Sequence, residues 1–208
     1  LRDLRRLLYC GEWIQSHALH VHLLHAPDFF DRADAIELAE LAPDAVKRGL
    51  AQKKTGNAVV TLLGGREIHP INVRVGGFYR VPARSALLGL LPALREGRQA
   101  AEDTVRWVAG LPFPDHETDA VLVALRHEHE YPMNEGRIVS TSGLDVPAGA
   151  FDDHFTERQV SWSHALQACL RTGEAYLTGP LARLALNFDR LSPRCRELAE
   201  ASGIAPDT

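Results

Sequence analysis

A chain of 208 residues, 45% of them hydrophobic, is long enough to bury one large core or two small ones. Its formal net charge of −4 and the lack of any Lys/Arg run argue against a nucleic-acid surface, and no apolar run approaches membrane-spanning length. The three cysteines, Cys10, Cys169 and Cys195, form no C-x-x-C pair. They argue against a disulfide framework, suit a reduced cytoplasmic setting, and cannot build a four-cysteine zinc or iron–sulfur site.

Residues 3 to 25 read as one long helix, with Leu4, Leu7, Ile14, Ala18 and Val21 as its apolar stripe. Leu1 already falls inside this periodic pattern with no capping residue ahead of it, so the expectation is a single incomplete domain, 1–208, cut from a longer protein. Such a helix is expected to expose an apolar face where absent pieces belong. Its second half is apolar nearly all round apart from His17, His20, His22 and His25, which predicts a buried, histidine-rich core helix that Pro27 ends. The histidines lack an obvious third and fourth metal ligand, and hydrogen-bonded burial is the expected state. Ser16 reads as an interior helix serine bonded to a carbonyl one turn back. Asp28 is placed to cap the following turn.

A short helix follows near Ala33 to Ala42, and then one from Pro43 to Leu63, stopped by Gly64-Gly65. The segment from Gly64 to Gly77, Gly-Gly-Arg-Glu-Ile-His-Pro-Ile-Asn-Val-Arg-Val-Gly-Gly, is the most specialised in the chain. Its glycine pairs and Pro70 predict a rigid loop that holds Arg66, His69 and Arg74 in set positions, with His69 extended ahead of the proline. Ser85 to Ala109 is helical, with breaks at Pro92 and Gly97. Two β-type runs, Asp119–Leu125 and Arg137–Ser140, mark a small β-containing region at about 117–150. His127-Glu128-His129-Glu130 beside it reads as solvated charge. Helical patterning returns at Ser163–Leu170, Leu181–Asp189 and Pro193–Ala201. Cys169 and Cys195 read as ordinary thiols. The sum is a mostly helical α+β fold.

Four segments in collinear order carry a resemblance. They are Tyr9-Cys10-Gly11-Glu12-Trp13-Ile14-Gln15-Ser16-His17-Ala18-Leu19-His20 with its continuation to Phe29, the Gly64–Gly77 loop, Tyr131–Arg137, and Gly179-Pro180-Leu181-Ala182-Arg183 to Asn187. Together they resemble the large subunit of nickel–iron hydrogenases, more narrowly the cytosolic NAD(P)-linked or sulfhydrogenase α type. The resemblance implies reversible oxidation of dihydrogen at a nickel–iron centre. It also implies an iron–sulfur small subunit, diaphorase-type electron-transfer subunits carrying flavin and NAD(P), no membrane segment and no nucleic acid. The family's two C-x-x-C ligand motifs are absent here, so the resemblance implies no metal ligand in this chain and no activity from it alone. It implies that Ser16, His17 and His20 lie beside the metal centre without ligating it. It implies that Arg66 and His69 face the small subunit with its nearest cluster. Two alternatives stand beside it: a metal-free relative such as the quinone-site subunit of respiratory complex I, and a stand-alone helical scaffold.

Overall fold

The computed structural model describes residues 1–116 and 119–206. The chain divides into two compact units, Leu1–Phe113 and Pro114–Thr208.

The first unit is helical. Helix α1 spans Arg2–Leu19 and runs without interruption into a π-helical turn, His20–His25, and a last α-turn, α2, Ala26–Phe29. The expectation that Pro27 ends this helix is therefore corrected. A proline ring inside an α-helix collides with the carbonyl four residues back. Here the backbone N–H of Ala26 instead reaches Val21, five residues back, and the widened turn gives Pro27 room to open α2. Leu8, Gly11, Ala18 and His22 are the buried positions, one residue out of step with much of the anticipated stripe.

Helix α3, Ala35–Leu41, begins at Asp34, whose carboxylate accepts from the N–H groups of Ile36 and Glu37. Glu37 reaches back to the N–H of Ala33, at 3.1 Å. The capping role expected of Asp28 thus belongs to Asp34, while Asp28 lies inside α2. Helix α4, Pro43–Gly64, opens on proline and closes on Gly65 in the left-handed conformation, φ 86°, as its sequence requires. A two-residue ribbon, β1 (Val73–Arg74) with β2 (Gly77–Phe78), follows. Helices α5 (Arg84–Gly89) and α6 (Leu91–Ala109) come next, divided at Leu90 just ahead of Pro92. Gly97 does not break α6. It lets the helix approach α4, where an added Cβ would sit 3.1 Å from the Thr55 methyl.

Helices α1 and α4 pack closely. Leu8, Val59, Val60 and Leu63 form the core, with Leu4, Leu7, Phe78, Leu87, Leu90 and Leu94 packed around it. A second cluster joins Ala26, Leu38 and Val46 to Leu23, Phe30 and Trp107.

The second unit holds a four-stranded sheet of order β5-β4-β3-β8. Its strands are β3 (Val121–Arg126), β4 (Arg137–Ser140), β5 (Asp145–Pro147) and β8 (Tyr176–Leu177). The first three pair antiparallel, and β8 joins β3 in parallel. A short helix α7, Phe151–His154, leads into an antiparallel hairpin, β6 (Phe155–Val160) with β7 (Ser163–Leu170). Residues 163–170 were expected to be helical and form a strand instead. Ser-His-Ala-Leu-Gln-Ala-Cys-Leu is rich in helix formers, but pairing with β6 and burial of Leu170 against Phe155 override that preference. Strand structure thus continues to Leu177, past the anticipated region at 117–150, whose first two positions lie outside the described residues. Helices α8 (Pro180–Asn187) and α9 (Pro193–Ala201) complete the unit. Val123, Ile138, Phe155 and Leu170 are its core. The result is the mostly helical α+β fold that the sequence indicates.

Candidate functional site

This chain's own residues cover only part of the histidine helix. His22 alone of the four histidines is fully buried, whereas His17, His20 and His25 are exposed and Ser16 is half-buried. The exposed pair is nonetheless tied down. His17 Nδ1 lies 2.8 Å from the Trp13 carbonyl oxygen, and His20 Nδ1 lies 2.7 Å from that of Ser16. A carbonyl only accepts, so each Nδ1 is the donor, and Nε2 is the ring nitrogen left to face other groups. The Ser16 hydroxyl lies 3.4 Å from His20 Nδ1, one turn ahead of it rather than one turn behind.

Beneath them runs a polar string that the sequence did not reveal. His22 Nε2 is 3.1 Å from Thr104 Oγ1, which donates to the Ala100 carbonyl at 2.8 Å and accepts from Gln52 Nε2 at 2.6 Å. The threonine proton is already committed, so His22 Nε2 must be the donor. Its Nδ1 makes no well-formed hydrogen bond. Burial, then the charge of Arg48, lowers the His22 pKa to about 4, with the Ala45 backbone opposing. The ring stacks on Trp107 at 5.4 Å between centroids, and an added Cβ on Gly49 would fall 2.4 Å from His22 Cβ. Above this string lies an open, largely apolar groove of about 480 Å³, walled by Trp13, Ile14, Val21 and Leu94 and touched by His17.

The glycine-bracketed loop is organised by Asn72. Its side-chain amide donates to the carbonyls of Leu63 and Arg80, both at 2.8 Å, and its side-chain oxygen accepts from the Arg80 N–H at 2.9 Å. Arg66 Nε donates to the His69 carbonyl at 2.6 Å, and Arg74 lies over the Tyr79 ring. His69 is not extended as anticipated. It adopts φ 51°, a left-handed turn that the Arg66 bond closes. Ile68, Ile71, Val75 and Tyr79 are each more than half exposed around it. The loop packs beside Leu1, against Gly77, at the start of α1. At 1.5 Å per residue, His17 is roughly 24 Å away along that helix, so the structure does not bring Arg66 and His69 together with Ser16, His17 and His20. Asn72→Ala is expected to destabilise the first unit by about 3 kcal/mol, since three hydrogen bonds at about 1 kcal/mol each are lost. Denaturant titration of wild type and variant reads this out.

In the second unit the other two segments do meet. Tyr131 hydrogen-bonds Arg183, and burial pushes its phenol pKa up against the opposing effect of that arginine. Asn187 Nδ2 donates to the carbonyls of Leu125 at 2.9 Å and Arg183 at 3.0 Å, and Arg126 holds Asp189 at 2.7 and 2.9 Å. Hydrogen bonding to Arg126 holds the Asp189 carboxyl below its usual range, with burial opposing and the charges of Arg126 and Arg190 adding to the effect. His127 to Glu130 carries largely solvated charge, with His129 and Glu128 in a weak surface pair at 3.6 Å.

No family profile matches the chain. Among curated proteins it is 50% identical over 192 residues to the alpha subunit of sulfhydrogenase 2 from Pyrococcus furiosus, covering 88% of this chain and 45% of that protein. The chain is a homologue of the nickel–iron hydrogenase large subunits. It is 29% identical over 204 residues to the alpha subunit of sulfhydrogenase 1 from the same organism, covering 97% of this chain and 47% of the relative. It is 37% identical over 211 residues to a vhc-type F420-non-reducing hydrogenase protein of Methanococcus voltae, covering 87% and 44%. The fold matches a chain of an NAD+-reducing [NiFe]-hydrogenase crystallised in the H2-reduced state, with a TM-score of 0.81 and 23% identity over 94% of this chain and 49% of that one. The chain thus spans just under half the length of these hydrogenase relatives.

The residues present do not fit a thiolate-held bimetallic centre. Cys10 is half-buried in the first unit, its thiol pKa raised by burial, while Cys169 and Cys195 lie in the second. Among the described residues no three His, Cys, Asp or Glu side chains converge as a metal set.

Proposed function

We propose that this chain is part of the catalytic large subunit of a nickel–iron hydrogenase. That enzyme reversibly splits dihydrogen into two protons and two electrons. It passes the electrons through an iron–sulfur small subunit, then diaphorase-type, flavin-bearing subunits, to NAD(P) in the cytoplasm. The observation that carries this reading is the 50% identity to a sulfhydrogenase α subunit over 88% of the chain. Among the described residues no helix is long and apolar enough to cross a membrane, which is compatible with it.

The metal centre would be held by ligands outside this sequence. The chain's own contribution is positional. With Nδ1 tied to helix carbonyls, His17 and His20 offer Nε2 as a proton acceptor of fixed direction, and Ser16 supplies a hydroxyl beside them. Arg66 and His69 sit on the loop whose exposed Ile68, Ile71 and Tyr79 suit contact with the iron–sulfur subunit. The test is hydrogen uptake by the intact complex purified without oxygen. Reduction of both a viologen dye and NAD(P)+ is the expected result. Viologen reduction alone removes the diaphorase link, and neither reaction overturns the reading.

A further inference from the structure

Ser16, His17 and His20 fall within about 100° of one another around their helix, which turns about 100° per residue. His22 lies on the opposite side, since two residues carry the chain roughly half a turn round from His20. Whatever holds His22 inward therefore sets the face on which the other three side chains stand. The buried positions from Gly11 to Pro27 are Gly11, Ala18, His22, Ala26 and Pro27. The glycine, alanines and proline make only non-directional contacts, which oppose separation of the helices more than rotation. His22 supplies the direction. Its Nε2 lies 3.1 Å from Thr104 Oγ1, its ring lies over Trp107 with the planes 3° apart, and Gly49 leaves the space its Cβ occupies. Thr104 is itself fixed, by the Ala100 carbonyl at 2.8 Å and by Gln52 Nε2 at 2.6 Å, and Gln52 also donates to the Ala100 carbonyl at 3.1 Å. One hydroxyl thus ties the continuation of α1 to both α4 and α6.

We infer that Thr104 is a positioning residue for His17 and His20: through His22 it fixes the rotation of their helix, and so the direction of His20 Nε2. The inference rests on the reading of His17 and His20 as proton acceptors beside a centre that splits dihydrogen. The His20 ring is bonded to its own helix, Nδ1 to the Ser16 carbonyl at 2.7 Å, so it turns with the backbone rather than against it. Proton transfer depends steeply on such placement, and a displacement of about 1 Å can cost about 100-fold in rate. Thr104→Val keeps the side-chain shape but leaves the buried His22 Nε2 without its acceptor, and relief of that loss requires the ring to move. Burial of the outer face by further protein leaves the argument unchanged, because every contact in it is internal to the first unit.

The experiment places the intact complex, purified without oxygen, under D2 in ordinary water. Each exchange replaces one deuteron by a proton from water, with no net electron transfer. HD needs one replacement before the gas is released and H2 needs two. Slower proton transfer therefore lowers the initial ratio of H2 to HD, whatever fraction of the protein is active. Wild type is compared with Thr104→Val, Thr104→Ser and, as a second route to the same loss, His22→Phe. The expected result is a ratio at least threefold lower in Thr104→Val and His22→Phe, and within twofold of wild type in Thr104→Ser. Backbone amide hydrogen exchange of the same complexes, followed by mass spectrometry, should be faster across residues 20–26 in Thr104→Val and His22→Phe alone. Wild-type ratios in these two variants overturn the proposal, as does a Thr104→Ser ratio as low as that of Thr104→Val, or unchanged amide exchange. Wild type that leaves D2 unexchanged overturns the hydrogenase reading, and this role with it.

Discussion

Gly56→Ala is expected to destabilise the first unit by about 2 kcal/mol or more, although alanine is the better helix former. Replacing a mid-helix glycine by alanine stabilises by about 1 kcal/mol when nothing else changes. At Gly56 an added Cβ would lie 2.5 Å from the Gln15 backbone nitrogen and 2.7 Å from the Gly11 carbonyl oxygen. Both neighbours are backbone atoms of α1, so no rotamer change relieves the contact and the helices must part. Overpacking of this kind costs about 1–3 kcal/mol, occasionally more, and separation would also open the Leu8–Val59–Val60–Leu63 core. Gly89→Ala is the control, since nothing lies within 4 Å of its added Cβ. Urea unfolding should show a lower midpoint for Gly56→Ala and an unchanged or slightly raised one for Gly89→Ala. An unchanged midpoint for Gly56→Ala means that α1 and α4 do not approach as described.

The second large effect is the dependence of stability on pH through His22. Its folded pKa of about 4 lies below the ordinary histidine value of 6.5. Above pH 6.5 the ring is neutral in both folded and unfolded chains, and its full contribution is present. As pH falls from 6.5 toward 4 the unfolded chain takes up a proton that the native ring refuses, so stability falls through that window. Below pH 4 both states are protonated and the loss levels off. The integrated loss is about 3 kcal/mol at 1.36 kcal/mol per pKa unit. His22→Phe keeps a ring against Trp107 and removes the titration. Unfolding free energies at several pH values should show wild type losing about 3 kcal/mol relative to His22→Phe between pH 6.5 and pH 4. A difference that stays flat across that window contradicts the neutral, Thr104-bonded histidine.

Much of the fold was legible because local chemistry fixed it. Pro43 and Gly65 mark the ends of α4 through a missing N–H and a left-handed backbone, and neither depends on distant contacts. Gly136 and Gly143, with φ of 149° and 96°, bracket β4 for the same reason. What could not be read depended on partners. The hairpin strand at 163–170 is decided by pairing with β6, against its own helix-forming composition. His22 follows Ala18 by one turn, so a strict 3.6-residue period places it on the buried face with Leu8 and Gly11, whereas the apolar stripe drawn through Val21 leaves it to one side. A proline two residues past a histidine-rich run was the available hint of a widened turn. Asn72 was visible as a residue of the loop but not as its organiser, since its carbonyl partners on Leu63 and Arg80 are invisible to periodicity. The capping pair at Asp34 and Glu37 is readable from its three-residue spacing, which Asp28 lacks.

The central claim is that this chain helps to surround a centre that cleaves dihydrogen. Isotope exchange tests it with the fewest intervening steps, because it requires cleavage and proton release but no electron acceptor. The intact protein, purified anaerobically and reductively activated, is placed under D2 in ordinary water and the gas is followed by mass spectrometry. The account predicts HD and H2 formation that depends on the protein, with at least a tenfold slower rate for His20→Ala. Protein that is folded and assembled with its partner subunits yet leaves D2 unexchanged would contradict it.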